Sequence, residues 1–306
     1  MKIATMATGG IGGFLAARLT QSGYDVATVA RGAQLEAIQK NGLTLVTPDN
    51  ETNVQPWIAT QDTREVGEVD AVIFAVKGDD LDAAAEACLP MLGRETVVVP
   101  FLNGVEAAER LAMILPPENV ADGVAYVSIA VTAPGVIQQT GEFNRFVFAE
   151  RDNRSSPRLS SLRDAINKAG LDAPSTDNID REIWTKFVLF AAVSGVTAAA
   201  RCVIGDIIDN EPLGQLFRGV ISETAALARA RGVAVSNTIE ADTWSYATTL
   251  PRTMRASTAV DLENGRPLEI EWISGAVTRH SDAGGLDAPI NRALYALLSP
   301  YRMGTR

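Results

Sequence analysis

Near the start, Ala7-x-Gly9-x-x-Gly12-Gly13 follows a β-prone run that starts at Lys2 and precedes a helical pattern in Phe14, Leu15, Ala17 and Leu19. A glycine-rich turn between strand and helix brings backbone N–H groups and a helix N-terminus onto a pyrophosphate. Ala7, Gly9, Gly10, Ile11 and Gly12 are the candidates for that contact. The fingerprint asks for a glycine where this chain has Ala7, an extra methyl that pushes the turn away from the pyrophosphate or is tolerated if the residue's φ is negative. Some twenty residues on, where an NAD-binding chain places a carboxylate for the ribose 2′-OH, this sequence reads Ala30-Arg31-Gly32. An arginine pairs with a 2′-phosphate through two charge-assisted hydrogen bonds, which favours NADP(H), although it also suits a solvated turn.

Two further strand ends carry polar groups, Lys77 after Ala71–Val76 and Asn103-Gly104 after Thr96–Leu102. Outside the carboxyl ends of parallel strands they can touch cofactor phosphate, ribose or substrate; singly, each also reads as a solvated lysine and a simple turn. Lys186 stands in the apolar run Ile183-Trp-Thr-Lys-Phe-Val-Leu-Phe-Ala-Ala-Val-Ser194. An ammonium there is costly unless it is paired or faces a polar cleft; the plainer reading is a surface lysine paired with Glu182 one turn back. Ser194 lies two turns along the same face. Glu269 follows Pro267, where an acid suits the start of a helix.

These residues need elements to hold them. Short β-branched runs at Asp25–Ala30, Ala71–Val76 and Thr96–Leu102, separated by helical patterns, predict a parallel sheet covered on both faces. Val136–Gln139 and Phe143–Glu150 predict a late hairpin turning at Thr140-Gly141 and adding edge strands to that sheet. From Ile179 onward helical patterns take over, at about 181–200, 212–230, 257–263, 267–281 and 289–298. The expected architecture is α/β: an N-terminal Rossmann-type doubly wound sheet over 1–177, then an all-helical domain over 178–306, with a ligand cleft between them.

Composition narrows the partners. The 306 residues are 46% hydrophobic and 21% charged, ordinary for a globular chain. A net charge of −10 argues against nucleic acid. Cys88, Cys202 and the single histidine, His280, supply neither a disulfide framework nor a His-rich metal site. With no signal-like opening and no apolar run expected to reach membrane-spanning length, the expectation is a soluble cytoplasmic protein without a membrane partner.

Together these pieces resemble the ketopantoate reductase family (2-dehydropantoate 2-reductases) along nearly the whole chain. Lys2, Ile3, Gly9, Ile11, Gly12 and Gly13 match its opening; Arg31, Lys77 and Asn103-Gly104 match its cofactor and crevice residues; Trp184-x-Lys186 matches its catalytic-lysine helix. Ser257, Asp261, Gly265-Arg266 and Glu269-Ile270 match its most specific run, and Pro289-x-Asn291 with Leu294-Tyr295 its closing helix. The resemblance implies NADPH-dependent reduction of a 2-oxo acid, with ketopantoate reduction in pantothenate biosynthesis as the first expectation, in a chain able to form a homodimer. It makes Lys186 the general acid and electrostatic stabiliser and has Glu269 hold the ammonium or a substrate hydroxyl, with Asn103 and Ser257 orienting substrate. The family carries asparagines one and two turns after the lysine; here those substrate-facing positions are Phe190 and Ser194. A more apolar or aromatic 2-oxo acid would suit Phe190, and a non-catalytic NADP-binding sensor is the reading from another class.

Overall fold

The computed structural model describes residues 1–304, apart from the side chain of Glu142. Two compact units form among the described residues, Met1–Leu102 with Ala107–Ile179, and Asn103–Glu106 with 180–304. The first contains β1 (Lys2–Met6), α1 (Gly10–Gln21), β2 (Asp25–Val29), α2 (Gly32–Asn41), β3 (Leu43–Val46), β4 (Glu51–Val54) and β5 (Ile58–Thr60). It continues with β6 (Val69–Phe74), α3 (Leu81–Cys88), β7 (Leu92–Pro100), α4 (Ala107–Ile114), β8 (Ala121–Ala133), β9 (Val136–Glu150) and α5 (Pro157–Lys168).

Strands β5-β2-β1-β6-β7 form a parallel sheet in that order. The order reverses direction between β1 and β6, the switch point beside which ligands bind in such sheets. Side chains alternate between two cores. Ile3, Ile73 and Val99 pack with Phe14 of α1 and Leu162 of α5, while Ala4, Val72 and Val98 pack with Leu81 of α3 and Leu111 of α4. Burial on both faces explains why these strands read as unbroken apolar runs.

The expected late hairpin is corrected. β9 passes through Thr140-Gly141 without turning and pairs antiparallel with β8. The turn lies at Pro134-Gly135, where Gly135 has φ 76°, a conformation glycine adopts without steric cost. Nor do these strands extend the parallel sheet: they join β3 and β4 in a second sheet, ordered β4-β3-β9-β8.

The second unit is helical: α6 (Ile179–Ala200, whose first residue clusters with the other unit), α7 (Ile204–Asp209), α8 (Glu211–Ala230), α9 (Ile239–Ala247), α10 (Ser257–Glu263), α11 (Ser274–Ala283) and α12 (Pro289–Leu298). The helix expected over 267–281 is a 3-10 turn, Ile270–Trp272, followed by α11. At 22 residues α6 is, by length and composition, apolar enough to cross a membrane, which corrects the expectation that no run reached that length. Its apolar window is 61% buried within the protein. Phe187, Val188 and Ala191 pack there with Phe217 and Val220 of α8, Val277 of α11 and Leu294 of α12. A Cβ on Gly195 would come within 2.9 Å of the Leu294 side chain, so a glycine lets α12 approach α6 closely.

Candidate active site

The turn between β1 and α1 can accept an anion. Gly9 caps α1 without a side-chain hydrogen bond, and no acid stands in the first turn. The helix's first internal bond runs from Gly13 N to Gly9 O at 2.8 Å, so the N–H groups of Gly10, Ile11 and Gly12 have no partner within the helix. A Cβ on Gly9 would meet nothing within 4 Å, whereas one on Gly12 would collide with the Ala7 carbonyl oxygen. Gly9 thus opens the turn outward and Gly12 lets helix and strand close. Among described non-glycine residues only Asn153 and Arg201 have positive φ, so Ala7 carries its methyl without backbone strain.

Residues outside the glycine pattern hold this turn. Thr8 Oγ1 donates to Val29 O at 3.1 Å. Gln34 of α2 donates through Nε2 to Thr8 O at 2.8 Å and accepts from Gly135 N at 2.9 Å. Nothing in its local sequence marks Gln34 as more than a polar residue on a helix. Arg31 is exposed at the N-cap of α2, and Lys77 is exposed just past β6. An open glycine and helix-end donors without intrahelical partners fit the pyrophosphate of a dinucleotide.

In the helical unit Lys186 is half-buried, and its Nζ donates to Asn103 Oδ1 at 3.3 Å. The same Nζ lies 5.4 Å from the centre of the Phe190 ring, one turn along α6. Burial pushes the ammonium down from its usual 10.5 to about 8, and the Glu269 carboxylate opposes that fall. Asn103 reaches Lys186 because its segment packs with the helices. Gly104, at φ 100°, lies so near the Trp272 carbonyl oxygen that a Cβ would come within 2.7 Å, and Val105 packs against the helical core. An ammonium near neutrality, an amide and a carboxylate in one place can deliver a proton to a developing alkoxide and stabilise its charge.

The model of ketopantoate reductase PanE/ApbA matches residues 3–153, and that of its C-terminal region matches 178–302. This chain belongs to the ketopantoate reductase family. Family membership makes it an oxidoreductase acting on CH–OH groups. It is 34% identical over 304 residues to a 2-dehydropantoate 2-reductase of Mesorhizobium japonicum, covering 90% of each chain. It is 28% identical over 301 residues to the uncharacterized oxidoreductase YkpB of Bacillus subtilis, covering 98% of this chain and 99% of that one. A PanE/ApbA family ketopantoate reductase from Ralstonia eutropha superposes with a TM-score of 0.90 at 30% identity, covering 99% and 98% of the two chains. D-mandelate dehydrogenase, solved with NADH and anilino(oxo)acetate, shares the fold with a TM-score of 0.90 at 21% identity.

The family's motif residues divide by what they touch. Asn103 and the Phe190 ring lie at the Lys186 ammonium, and Glu269 acts on it through its charge. Ser194, expected to face substrate, is instead 1% exposed, and its Oγ lies 2.6 Å from Thr258 Oγ1. One turn on, Thr197 Oγ1 accepts from Ala256 N at 3.4 Å. These contacts pin the start of α10 to α6 and leave Ser257, the first residue of α10, exposed. No hydrogen bond joins Ser257 to Lys186 or Asn103 among the described residues. Within the ketopantoate reductase run, Arg266 Nε donates to Asp261 Oδ1 at 2.7 Å around the Gly265 turn, and in the closing helix Asn291 Nδ2 donates to Glu223 Oε2 at 2.7 Å. Asp261, Arg266 and Asn291 therefore brace the unit. Thr258 and Thr197 were missed by sequence reasoning, because nothing local distinguishes a buried threonine that holds another helix from one that packs.

Proposed function

We propose that this chain is an NADPH-dependent 2-oxo acid reductase. The observation that carries the reading is the half-buried Lys186 ammonium, donating to Asn103 Oδ1 at 3.3 Å and lowered to about 8 with the charge of Glu269 acting on it. Gly9, Gly10, Ile11 and Gly12 would hold the pyrophosphate, with Ala7 backing the turn, Arg31 on the 2′-phosphate and Lys77 on phosphate or ribose. When bound, NADPH supplies the hydride that reduces the ketone carbon. Lys186 Nζ gives its proton to the carbonyl oxygen as negative charge builds there, and the charge of Glu269 favours its reprotonation. The Lys186 ammonium can only donate, so Asn103 Oδ1 is the acceptor of their bond and Asn103 Nδ2 is left to donate to substrate. The exposed Ser257 hydroxyl offers a second donor for the substrate carboxylate.

Ketopantoate is the first substrate to test. A second reading, a more apolar or aromatic 2-oxo acid, is favoured by the Phe190 ring beside Lys186, where a polar substrate would find no hydrogen-bonding partner. Rates of NADPH consumption over a panel of polar, branched and aryl 2-oxo acids separate the two. Binding of NADPH with no turnover of any 2-oxo acid would defeat both and favour the sensor reading.

A further inference from the structure

Glu106 comes three residues after Asn103, and Glu271 two residues after Glu269. Both carboxylates reach the same guanidinium. Arg279 of α11 donates from Nη2 to Glu106 Oε2 at 2.9 Å and from Nη1 to Glu271 Oε2 at 3.2 Å. We propose that Arg279 is a positioning residue that, by bridging Glu106 and Glu271, fixes the segment bearing Asn103 against the turn bearing Glu269 and so holds both partners of Lys186 in place.

The surroundings make the bridge stiff on both carboxylate sides. The side chains of Glu106 and Glu271 are 14% and 19% exposed, far more sheltered than Arg279 itself. His280 Nε2 lies 3.0 Å from Glu106 Oε1, and Arg231 Nη1 lies 3.1 Å from His280 Nδ1. A guanidinium only donates, so His280 Nδ1 is the acceptor, and the ring's other nitrogen, Nε2, faces Glu106. On the other side Glu271 Oε1 accepts from Tyr295 Oη at 2.6 Å and from Arg302 Nη1 at 2.8 Å. Burial pushes both carboxyls up, but at Glu106 contact with His280 and the charge of Arg279 outweigh it. At Glu271 the hydrogen bonds from Tyr295 and Arg302 do the same. Both acids therefore stay ionised where Lys186 titrates.

The linkages from bridge to site are short. Only Gly104 and Val105 separate Asn103 from Glu106, and Gly104 lies directly on the backbone of Trp272 in the turn that Glu269 begins. The Lys186–Asn103 bond is already long at 3.3 Å, so a small drift of the segment breaks it. Misplacement on the order of 1 Å can cost about a hundredfold in rate.

The inference rests on Lys186 being the acid, so its test has a readout outside turnover. Arg279→Met, Arg279→Lys and Glu106→Gln are compared with wild type and with Arg292→Met, which removes an exposed ion pair to Asp282. Each is measured for kcat and KM on a 2-oxo acid that wild type reduces. NADPH affinity is measured by calorimetry. The Lys186 ammonium titration, without substrate, is followed by NMR of labelled lysine and assigned by its loss in Lys186→Arg. Arg279→Met is expected to lower kcat roughly 10- to 100-fold, leave NADPH affinity within about twofold, and move the Lys186 titration to lower pH as its partners retreat. Arg279→Lys should recover part of both, since an ammonium reaches one carboxylate but cannot fork to two. Arg292→Met should match wild type. Unchanged kcat and an unchanged titration in Arg279→Met overturn the proposal; if that variant does not fold, the same result in Glu106→Gln overturns it. A wild type that reduces no 2-oxo acid defeats the parent reading alone, because the titration still reports whether Arg279 governs Lys186.

Discussion

Ser194 Oγ and Thr258 Oγ1 lie 2.6 Å apart in the interior of the helical unit, tying α6 to α10. Removing the hydroxyl in Ser194→Ala leaves Thr258 with an unmatched buried group. The expected cost is about 1–3 kcal/mol of stability, read as a lower midpoint in denaturant, with KM for the 2-oxo acid within about twofold. A large rise in KM at unchanged stability would return Ser194 to the substrate.

The lowered Lys186 ammonium fixes a pH dependence. As the acid in the reductive direction it must be protonated, so kcat for reduction should hold below pH 8 and fall about tenfold per unit above it. Oxidation of the 2-hydroxy acid needs the free amine and should rise over the same range. Glu269→Gln removes the charge that opposes the fall, so the reductive limb should move to lower pH. Linkage has its own sign: burial penalises the charged form, and between pH 8 and 10.5 the unfolded chain binds more proton than the folded one. Lys186 thus makes folding less favourable below pH 8, and stability should rise as pH increases through that window. Denaturant titrations of wild type against Lys186→Met give that contribution.

The Phe190 ring lies beside the Lys186 Nζ, so a substrate bound there as proposed meets no donor or acceptor from it. Phe190→Asn should lower kcat/KM for an aryl 2-oxo acid by roughly 10- to 200-fold and raise it for ketopantoate. Equal effects on both acids would mean that the ring acts only on Lys186.

Arg31 is exposed at the N-cap of α2. Arg31→Ala should weaken NADPH binding by about 1.5–3 kcal/mol, the worth of a charge-assisted hydrogen bond, and leave NADH binding nearly unchanged. Calorimetry with both cofactors decides; equal losses would place Arg31 away from the 2′-phosphate.

The glycine turn predicts opposite outcomes at neighbouring positions. Gly12→Ala drives a methyl into the Ala7 carbonyl and should abolish NADPH binding or folding. Ala7→Gly adds freedom where none is needed, costing about 0.4–1 kcal/mol in stability with little change in cofactor affinity. A large gain in affinity would show that the methyl obstructs the pyrophosphate.

Much of the parallel sheet was legible because its strands are buried on both faces and read as apolar runs. The long helices were legible from their period and from Pro and Gly at their ends. The second sheet was not: β3 and β4 are short and half-exposed, and Gly141 looked as good a turn residue as Gly135 until pairing with β8 decided between them. Lys186 stood out because a charge in an apolar helix demands a reason. Which face Ser194 took was hidden, since helical spacing places a residue on a stripe but does not say what covers the stripe. Gln34, Glu106 and Arg279 gave no signal, because their roles exist only through partners distant in sequence.

Asn103–Glu106 clusters with the helices although the residues on either side of it, Leu102 and Ala107, cluster with the sheets. The polypeptide therefore enters the helical unit twice, and the site around Lys186 is not encoded in one stretch of the gene. A fragment beginning at Asp180 would carry Lys186, Phe190 and Glu269 and leave the Asn103 amide and the Glu106 carboxylate behind. Exchange of the C-terminal half between relatives would pair one parent's lysine with another parent's amide. Productive chimeras should be those whose crossover moves residues 103–106 together with the helices, as a two-piece cassette.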